Sequence, residues 1–498
     1  MTSILKIKQF VLFILIFIFA GSSMIACKDT NKNNSDDGKE EKAKLKGNVI
    51  IYVTTTNRSS DFKRDSVDFS ATQNMSPSTI ALDPTQRFQT MDGFGAAITG
   101  STAYNLLKMV SDDRTKFLKE TFSVTEGMGY SYIRVPIGCS DFSLSEYTCC
   151  DTKGIENFAL TSEENNYLIP ILKEILAINP DIKILGSPWT CPRWMKVNNL
   201  TDLQPFNSWT SGHLNPAYYS DYATYFVKWI QAFVKAGIPI YSVTPQNEPL
   251  NDGNSASLHV EWNEERDFVN NNLVPAFKAA GLKTKIYVYD HNYDDIAYAE
   301  NIFKGGVDND VVAGSAWHDY AGTNDALNQV HNAYPAKEVI FTESSIGTWN
   351  DGRNLSVRLM NDMQDLALGT VNNWSKAVIV WNLMLDTNGA PNRPGGCNTC
   401  YGAVDIDASN YKTITRNSHY YIIGHLASVA HTGATRIGTT GYSPTGVTYS
   451  AFENTDGTYA VVLLNNTSDT KKITLDDGEN HFSYDVPAHS IVSYLWKK

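Results

Sequence analysis

The chain has 498 residues, of which 42% are hydrophobic and 19% charged, and its formal net charge is −12. That length allows one large domain beside a smaller one, and the apolar content excludes a chain disordered throughout. The acidic balance argues against nucleic acid or an anionic membrane surface as a partner and leaves a neutral substrate unopposed.

The first 27 residues form a targeting signal. Lys6 and Lys8 precede an apolar run from Phe10 to Ala20, too short to span a bilayer as a helix, and the segment ends at Ala26-Cys27. The small residue before Cys27 resembles a bacterial lipobox, although Met24-Ile25 departs from the usual pattern. Lipid on Cys27 after cleavage is therefore expected, with ordinary cleavage as the alternative. Losing Lys6 and Lys8 takes the charge from −12 to −14. Residues 28–46 are mostly Lys, Asp, Glu, Asn and Ser, without an aromatic residue, and read as a tether. Within it, Ser35-Asp36-Asp37-Gly38-Lys39-Glu40-Glu41 resembles the surface-export signal of Bacteroidetes lipoproteins; a plain solvated linker is the other reading. The expected location is the outer membrane of a Gram-negative bacterium, on its outer or periplasmic face.

Residues 47–88 open with the β-branched run Val49–Thr55. From 89 to 430, apolar strand-like runs alternate with amphipathic helices, the pattern of repeated βα units. Eight strands are predicted: Gly93–Ala97, Tyr132–Ile137, Lys183–Ser187, Ile240–Thr244, Lys285–Asp290, Val312–Trp317, Val339–Glu343 and Ala377–Leu383. Tyr222, Tyr225, Phe226, Trp229, Ile230 and Phe233 mark one helix at i, i+3, i+4 spacing, stopped by Gly237. Thr161 and Glu164 form a capping box for another, with Pro170 inside it. Eight strands with crossover helices imply an α/β fold, a closed (β/α)8 TIM barrel. Residues 431–498 read as short strands broken by Asn, Asp and Gly turns (Gly446–Ala451, Tyr459–Asn465, Lys472–Leu475, His481–Val486, Ser490–Leu495). The N-terminal run is expected to pair with them in a small antiparallel β-sandwich.

Six cysteines follow Cys27: Cys139, Cys149, Cys150, Cys191, Cys397 and Cys400. Export permits disulfides, but spacing does not choose among the pairings. Cys397-Asn398-Thr399-Cys400 lacks a second pair at zinc-site spacing, which favours a loop disulfide or free thiols over a metal.

Two acids stand where barrel chemistry occurs. Glu248, in Thr244-Pro245-Gln246-Asn247-Glu248-Pro249, and Glu343, in Val339-Ile340-Phe341-Thr342-Glu343-Ser344, both follow apolar runs and so lie at strand C-terminal ends, the active-site rim of a barrel. A facing carboxylate pair is the apparatus of glycoside hydrolysis, about 5–5.5 Å apart when configuration is retained. One acid must be ionised and the other protonated. Arg134, flanked by apolar residues at the end of its strand, is a candidate cation to hold one of them charged.

The segments Gln89 to Ala97, Ile133 to Ser143, Gly186 to Lys196, Thr244 to Pro249 and Val380-Trp381-Asn382-Leu383 together resemble glycoside hydrolase family 30, which includes glucosylceramidases and bacterial β-1,6-glucanases. The resemblance implies a retaining enzyme with Glu248 as general acid/base and Glu343 as nucleophile. Asn247 would hold the 2-hydroxyl of the sugar at the cleavage point. Asp141 and Trp189 match positions that hold its other hydroxyls, Trp381 matches the aromatic floor, and Tyr320 matches a tyrosine on the nucleophile. His318 is included among the substrate-binding residues, and His318-Asp319-Tyr320 has Asp where glucosylceramidases have Trp. Thr148-Cys149-Cys150-Asp151 and Trp189 to Asn199 look more like the β-1,6-glucanases. The expected activity is endo-acting cleavage of β-1,6-glucan. An exo-acting β-glucosidase, β-xylosidase or glucosylceramidase is the alternative, and a non-catalytic glycan-binding lipoprotein is the alternative of another class. No cofactor or metal is expected, and a monomer is.

Overall fold

The computed structural model describes residues 47–71 and 76–498. The signal segment, Cys27 and the tether lie outside the described residues.

Eight parallel strands form the barrel: Gly93–Ala96, Tyr132–Pro136, Lys183–Ser187, Ser242–Val243, Lys285–Asn292, Val312–His318, Glu338–Glu343 and Ser375–Val380. Each pairs with its neighbour in the ring. The seam between the first two is closed by a parallel bridge from Ala97 to Arg134 and a 2.8 Å hydrogen bond from Ile98 N to Arg134 O. Alternate strand residues point inward, and Tyr132, Leu185, Tyr287, Ala316, Ile340, Ala377 and Ile379 pack there as a plug separate from the main core. The opposite faces meet the helices.

The fourth strand is shorter than its apolar run suggested. Pro239 has no N–H to donate, and the regular ladder shrinks to Ser242–Val243. Hydrogen bonds from Tyr241 N to Ile184 O (2.9 Å) and from Thr244 N to Gly186 O (3.0 Å) extend the pairing beyond it. The helix Tyr219–Lys235 buries Tyr222, Tyr225, Phe226, Trp229, Ile230 and Phe233 on one face, as their spacing requires. Thr161 donates through N and Oγ1 to Glu164 Oε2, at 2.8 and 2.6 Å. A π-helical turn, Glu164–Leu168, follows before the α-helix Ile169–Ile178, because Pro170 cannot donate to the preceding turn.

The remaining strands make one nine-stranded sheet in the order Lys63–Val67, Val49–Thr55, Ser490–Lys497, Thr458–Asn465, Val447–Glu453, Thr435–Gly441, Thr79–Thr90, Lys471–Asp476 and His481–Val486. The N-terminal run pairs antiparallel with the last strand, Val49 opposite Trp496. The ring of Phe482, on the far edge strand, lies 5.2 Å from that of Trp496. Two strands so distant in sheet order meet only if the sheet folds over on itself, giving the two layers of a sandwich around its own core. Lys63–Val67, Thr79–Thr90 and Thr435–Gly441 carry too little apolar alternation to be read as strands from sequence.

Barrel and sandwich share a seam. All ten residues of the helix Ser418–Ala427 are buried, and His425 bridges the two sandwich strands that flank it, Nε2 to Thr54 Oγ1 and Nδ1 to Ser493 Oγ, both 2.8 Å. Phe452, Val462, Leu464 and Ile491 reach from the sandwich into the barrel's main core.

Candidate active site

The rim at the strand C-termini gathers charge that the strands themselves would exclude. Arg134 is wholly buried on the second strand, where burial opposes its charge and the carboxylates of Asp290 and Glu343 restore it. Its Nη1 donates to Glu343 Oε2 at 2.5 Å. Its Nη2 donates to Asp290 Oδ2 (2.7 Å), Asn247 Oδ1 (2.6 Å) and Ser187 Oγ (3.2 Å). The guanidinium also lies 5.0 Å from the Trp189 ring and 5.4 Å from Trp381. Those two indoles stack on each other, centroids 5.0 Å apart and planes 27° from parallel. A cation under two rings and among four polar partners is held in one position.

Asp290 is the centre of this network and was missed from the sequence. It accepts from Ser187 Oγ and Thr244 Oγ1 at 2.8 Å, from Thr342 Oγ1 at 2.6 Å, and from Arg134. Its other partner is His318 Nε2, at 3.1 Å. Burial pushes its carboxyl up, but Arg134 and His318 outweigh burial and hold it well below the usual carboxylate range. An Asp at the end of the apolar run Lys285-Ile286-Tyr287-Val288-Tyr289-Asp290 was the available signal.

Glu248 sits in the turn after the fourth strand at φ 45°, its N–H on Asp290 O at 3.0 Å. His318 Nδ1 lies 3.1 Å from its Oε1, and Asn251 Nδ2 donates to its Oε2 at 2.7 Å. Glu343 closes the seventh strand, with Arg134 on Oε2 and the Tyr320 hydroxyl donating to Oε1 at 3.0 Å. One carboxylate oxygen of Glu248, one of Glu343 and a ring nitrogen of His318 all lie within 4.8 Å of one another. A metal could use such a set, but His318 already has both nitrogens on carboxylates, and Arg134 already neutralises Glu343. Two carboxyls this close suit direct displacement rather than a water held between them.

Burial works against charge on Glu248, yet the His318 hydrogen bond and charge prevail and hold it at about 2. Burial likewise opposes charge on His318, but Glu343, Asp290 and Glu248 raise it to about 9. Burial pushes Glu343 upward, helped by Glu248 and resisted by His318 and Arg134. At neutral pH the mobile proton therefore rests on His318, one hydrogen bond from Glu248. The order of the two glutamate shifts is the reverse of an acid and a nucleophile. The bonding geometry separates the roles better, because Glu343 receives an Arg and a Tyr, whereas Glu248 shares the His proton.

His318 is thus no open sugar contact: it is fully buried between Glu248 and Asp290, and Arg134 lies beneath the carboxylates. Tyr320 is on the rim, 43% exposed. Asp141 is half-buried, and burial with the charges of Glu343 and Glu248 raises its carboxyl to about 8. Asp141 Oδ1, Trp189 Nε1 and Asn247 Nδ2 have no protein partner, an unmet acceptor and two unmet donors beside the two acids. Trp194 and Trp229 lie elsewhere: Trp194 donates to Cys150 O at 2.8 Å, and Trp229 is core. Cys397 and Cys400 form a disulfide, while Cys139, Cys149, Cys150 and Cys191 are buried free thiols.

Residues 91–429 match the glycosyl hydrolase family 30 TIM-barrel domain and 433–494 the family 30 beta sandwich domain. A solved structure described as the endo-beta1,6-glucanase BT3312 is 63% identical, with TM-score 0.88, over 91% of this chain and 100% of that one. The endo-1,6-beta-D-glucanase BGN16.3 of Trichoderma harzianum is 32% identical over 88% of this chain and 92% of its own. The lysosomal acid glucosylceramidase of Mus musculus is 27% identical over 84% and 82%. With both domains matched in order around this paired-carboxylate rim, the chain belongs to glycoside hydrolase family 30 and is a retaining glycoside hydrolase.

Proposed function

We propose that this enzyme cleaves β-1,6-glucan within the chain, with Glu343 as nucleophile and Glu248 as general acid/base. The observation that carries the chemistry is the approach of the two carboxylates to within 4.8 Å, with Arg134 bonded to Glu343 and His318 to Glu248. The 63% identity to an endo-β1,6-glucanase supports the linkage.

A Glu343 oxygen attacks the anomeric carbon, forming a glycosyl ester as the glycosidic C–O bond breaks. The bonding pair passes to the leaving oxygen, which takes a proton from Glu248. Substrate excludes water from the carboxyl and disfavours its charged form, so the His318 proton crosses the 3.1 Å hydrogen bond to Glu248 before the bond breaks. Water then loses a proton to Glu248 and attacks the same carbon, releasing Glu343. Two inversions give net retention. Arg134 and the Tyr320 hydroxyl keep Glu343 charged and aimed. Asn247 Nδ2, Trp189 Nε1 and Asp141 Oδ1 are free to meet sugar hydroxyls, and Trp381 beside Trp189 forms the floor.

Residues 1–27 support export and lipidation at Cys27, which a mass measurement of the membrane-extracted protein checks. The substrate reading is tested by incubating protein lacking residues 1–27 with β-1,6-glucan, β-1,3-glucan, xylan and aryl β-glucosides. Mixed short β-1,6-oligosaccharides should appear first; glucose alone, or turnover only of another substrate, would sink it.

A further inference from the structure

The sixth barrel strand, Val312–His318, ends at the first of three consecutive residues, 318 to 320, that turn to different partners. His318 meets Glu248 and Asp290, Tyr320 meets Glu343, and Asp319 accepts a 3.1 Å hydrogen bond from the hydroxyl of Ser344, the residue after Glu343. Asp319 also lines a solvent-open cavity of about 570 Å³, within the range of small-ligand sites. Tyr293, Asn324, Arg358, Asn361 and Asp362 share its wall. None of these five belongs to the catalytic cluster.

The lining selects a ligand class. Leu366 is its one aliphatic side chain among the described residues, so apolar molecules gain little there. Asp319, Asp362 and Asp365 face a single Arg358, which is itself paired with Asp362, so an anion is disfavoured. A metal is disfavoured by geometry, since among the described residues the cluster able to hold one is Glu248, His318 and Glu343. Yet polar groups here are unmet. Tyr293 is only 4% exposed and its hydroxyl has no partner, and Arg358 Nε has none either. Buried donors left unpaired are costly and mark a place where something polar completes them.

We infer that this cavity is a second saccharide-binding site, taking neutral, hydroxyl-rich sugar units of the glucan and tied to the catalytic cluster through the Asp319–Ser344 hydrogen bond. Its carboxylates and amides, together with Tyr293 and Arg358, offer the mixed acceptors and donors that sugar hydroxyls need. A chain segment held there stays beside the site between cuts, which raises its effective concentration at the acids. The glucan identity of the ligand rests on the β-1,6-glucanase reading, whereas the saccharide class rests on the lining.

The test is calorimetric titration of the Glu343→Gln protein with β-1,6-linked gluco-oligosaccharides, repeated with β-1,3-gluco- and xylo-oligosaccharides and with Ca²⁺ alone. Two saccharide sites are expected. Tyr293→Phe, which removes one oxygen, and Asn361→Ala should each weaken the second site about fivefold and leave the first unchanged. With Glu343 intact, both variants should raise KM for glucan and leave aryl β-glucoside turnover unaltered. A single site, a second site indifferent to both changes, or Ca²⁺ as the only second ligand would overturn the proposal. Two-site binding of another saccharide, with no β-1,6-glucan cleavage, would uphold the cavity and overturn the substrate reading instead.

Discussion

His318 illustrates how a single side chain sets the working range of the site. Its charge is held by Asp290 on one nitrogen and shared with Glu248 on the other. Because those carboxylates raise His318 to about 9, the His318–Glu248 pair keeps its one proton up to about that pH and loses it above. Activity should therefore fall on the basic side near pH 9, and on the acid side as Glu343, raised by burial, takes up a proton. Replacing His318→Gln removes the cation, so the proton must reside on Glu248 itself, and the basic limb should move to lower pH while kcat drops about a hundredfold. A pH–rate profile of kcat/KM measures both. A basic limb that stays in place would show that His318 takes no part in the proton inventory.

At the scale of elements, barrel closure depends on a residue without a side chain. A Cβ at Gly95 would sit 1.9 Å from Tyr132 O on the neighbouring strand, at the seam where the first and second strands meet. Gly95→Ala should destabilise by about 1–3 kcal/mol through forced separation of that seam, read as a lower denaturation midpoint at unchanged slope. Wild-type stability would refute the assigned packing. Much of the fold was legible because its strands are short apolar runs between strong helical patterns. The eight barrel strands were located, and both glutamates were placed at strand ends. What escaped were features that periodicity does not encode. Asp290 joins residues from five barrel strands through tertiary bonds alone, the π turns before Pro170 and Pro275 reflect missing backbone donors, and Thr79–Thr90 pairs with two partners through a register shift. His318 was read as touching sugar because a motif gives a residue's neighbourhood but not the direction its ring faces.

For the molecule as a whole, the sandwich is part of the barrel's stability rather than an appendage. Phe452, Leu464 and Ile491 fill the barrel's main core, and the buried helix Ser418–Ala427 carries His419 and His425. Burial lowers both histidines to about 3. Their folded pKa values lie below the unfolded value, so the stability they allow is present above about pH 6.5 and is lost as pH falls towards 3. Thermal unfolding should thus be a single transition whose Tm declines over that interval, and His425→Asn should flatten the decline. Two separated transitions, or a Tm independent of pH there, would contradict the shared core.

Glu248 and Glu343 are proposed to act as an acid/base and a nucleophile without a water between them. Proton NMR of the first anomer formed from a β-1,6-gluco-oligosaccharide tests it directly. The β-anomer, appearing before mutarotation, is the predicted result; the α-anomer would mean inversion and would contradict the assignment of Glu343 as nucleophile.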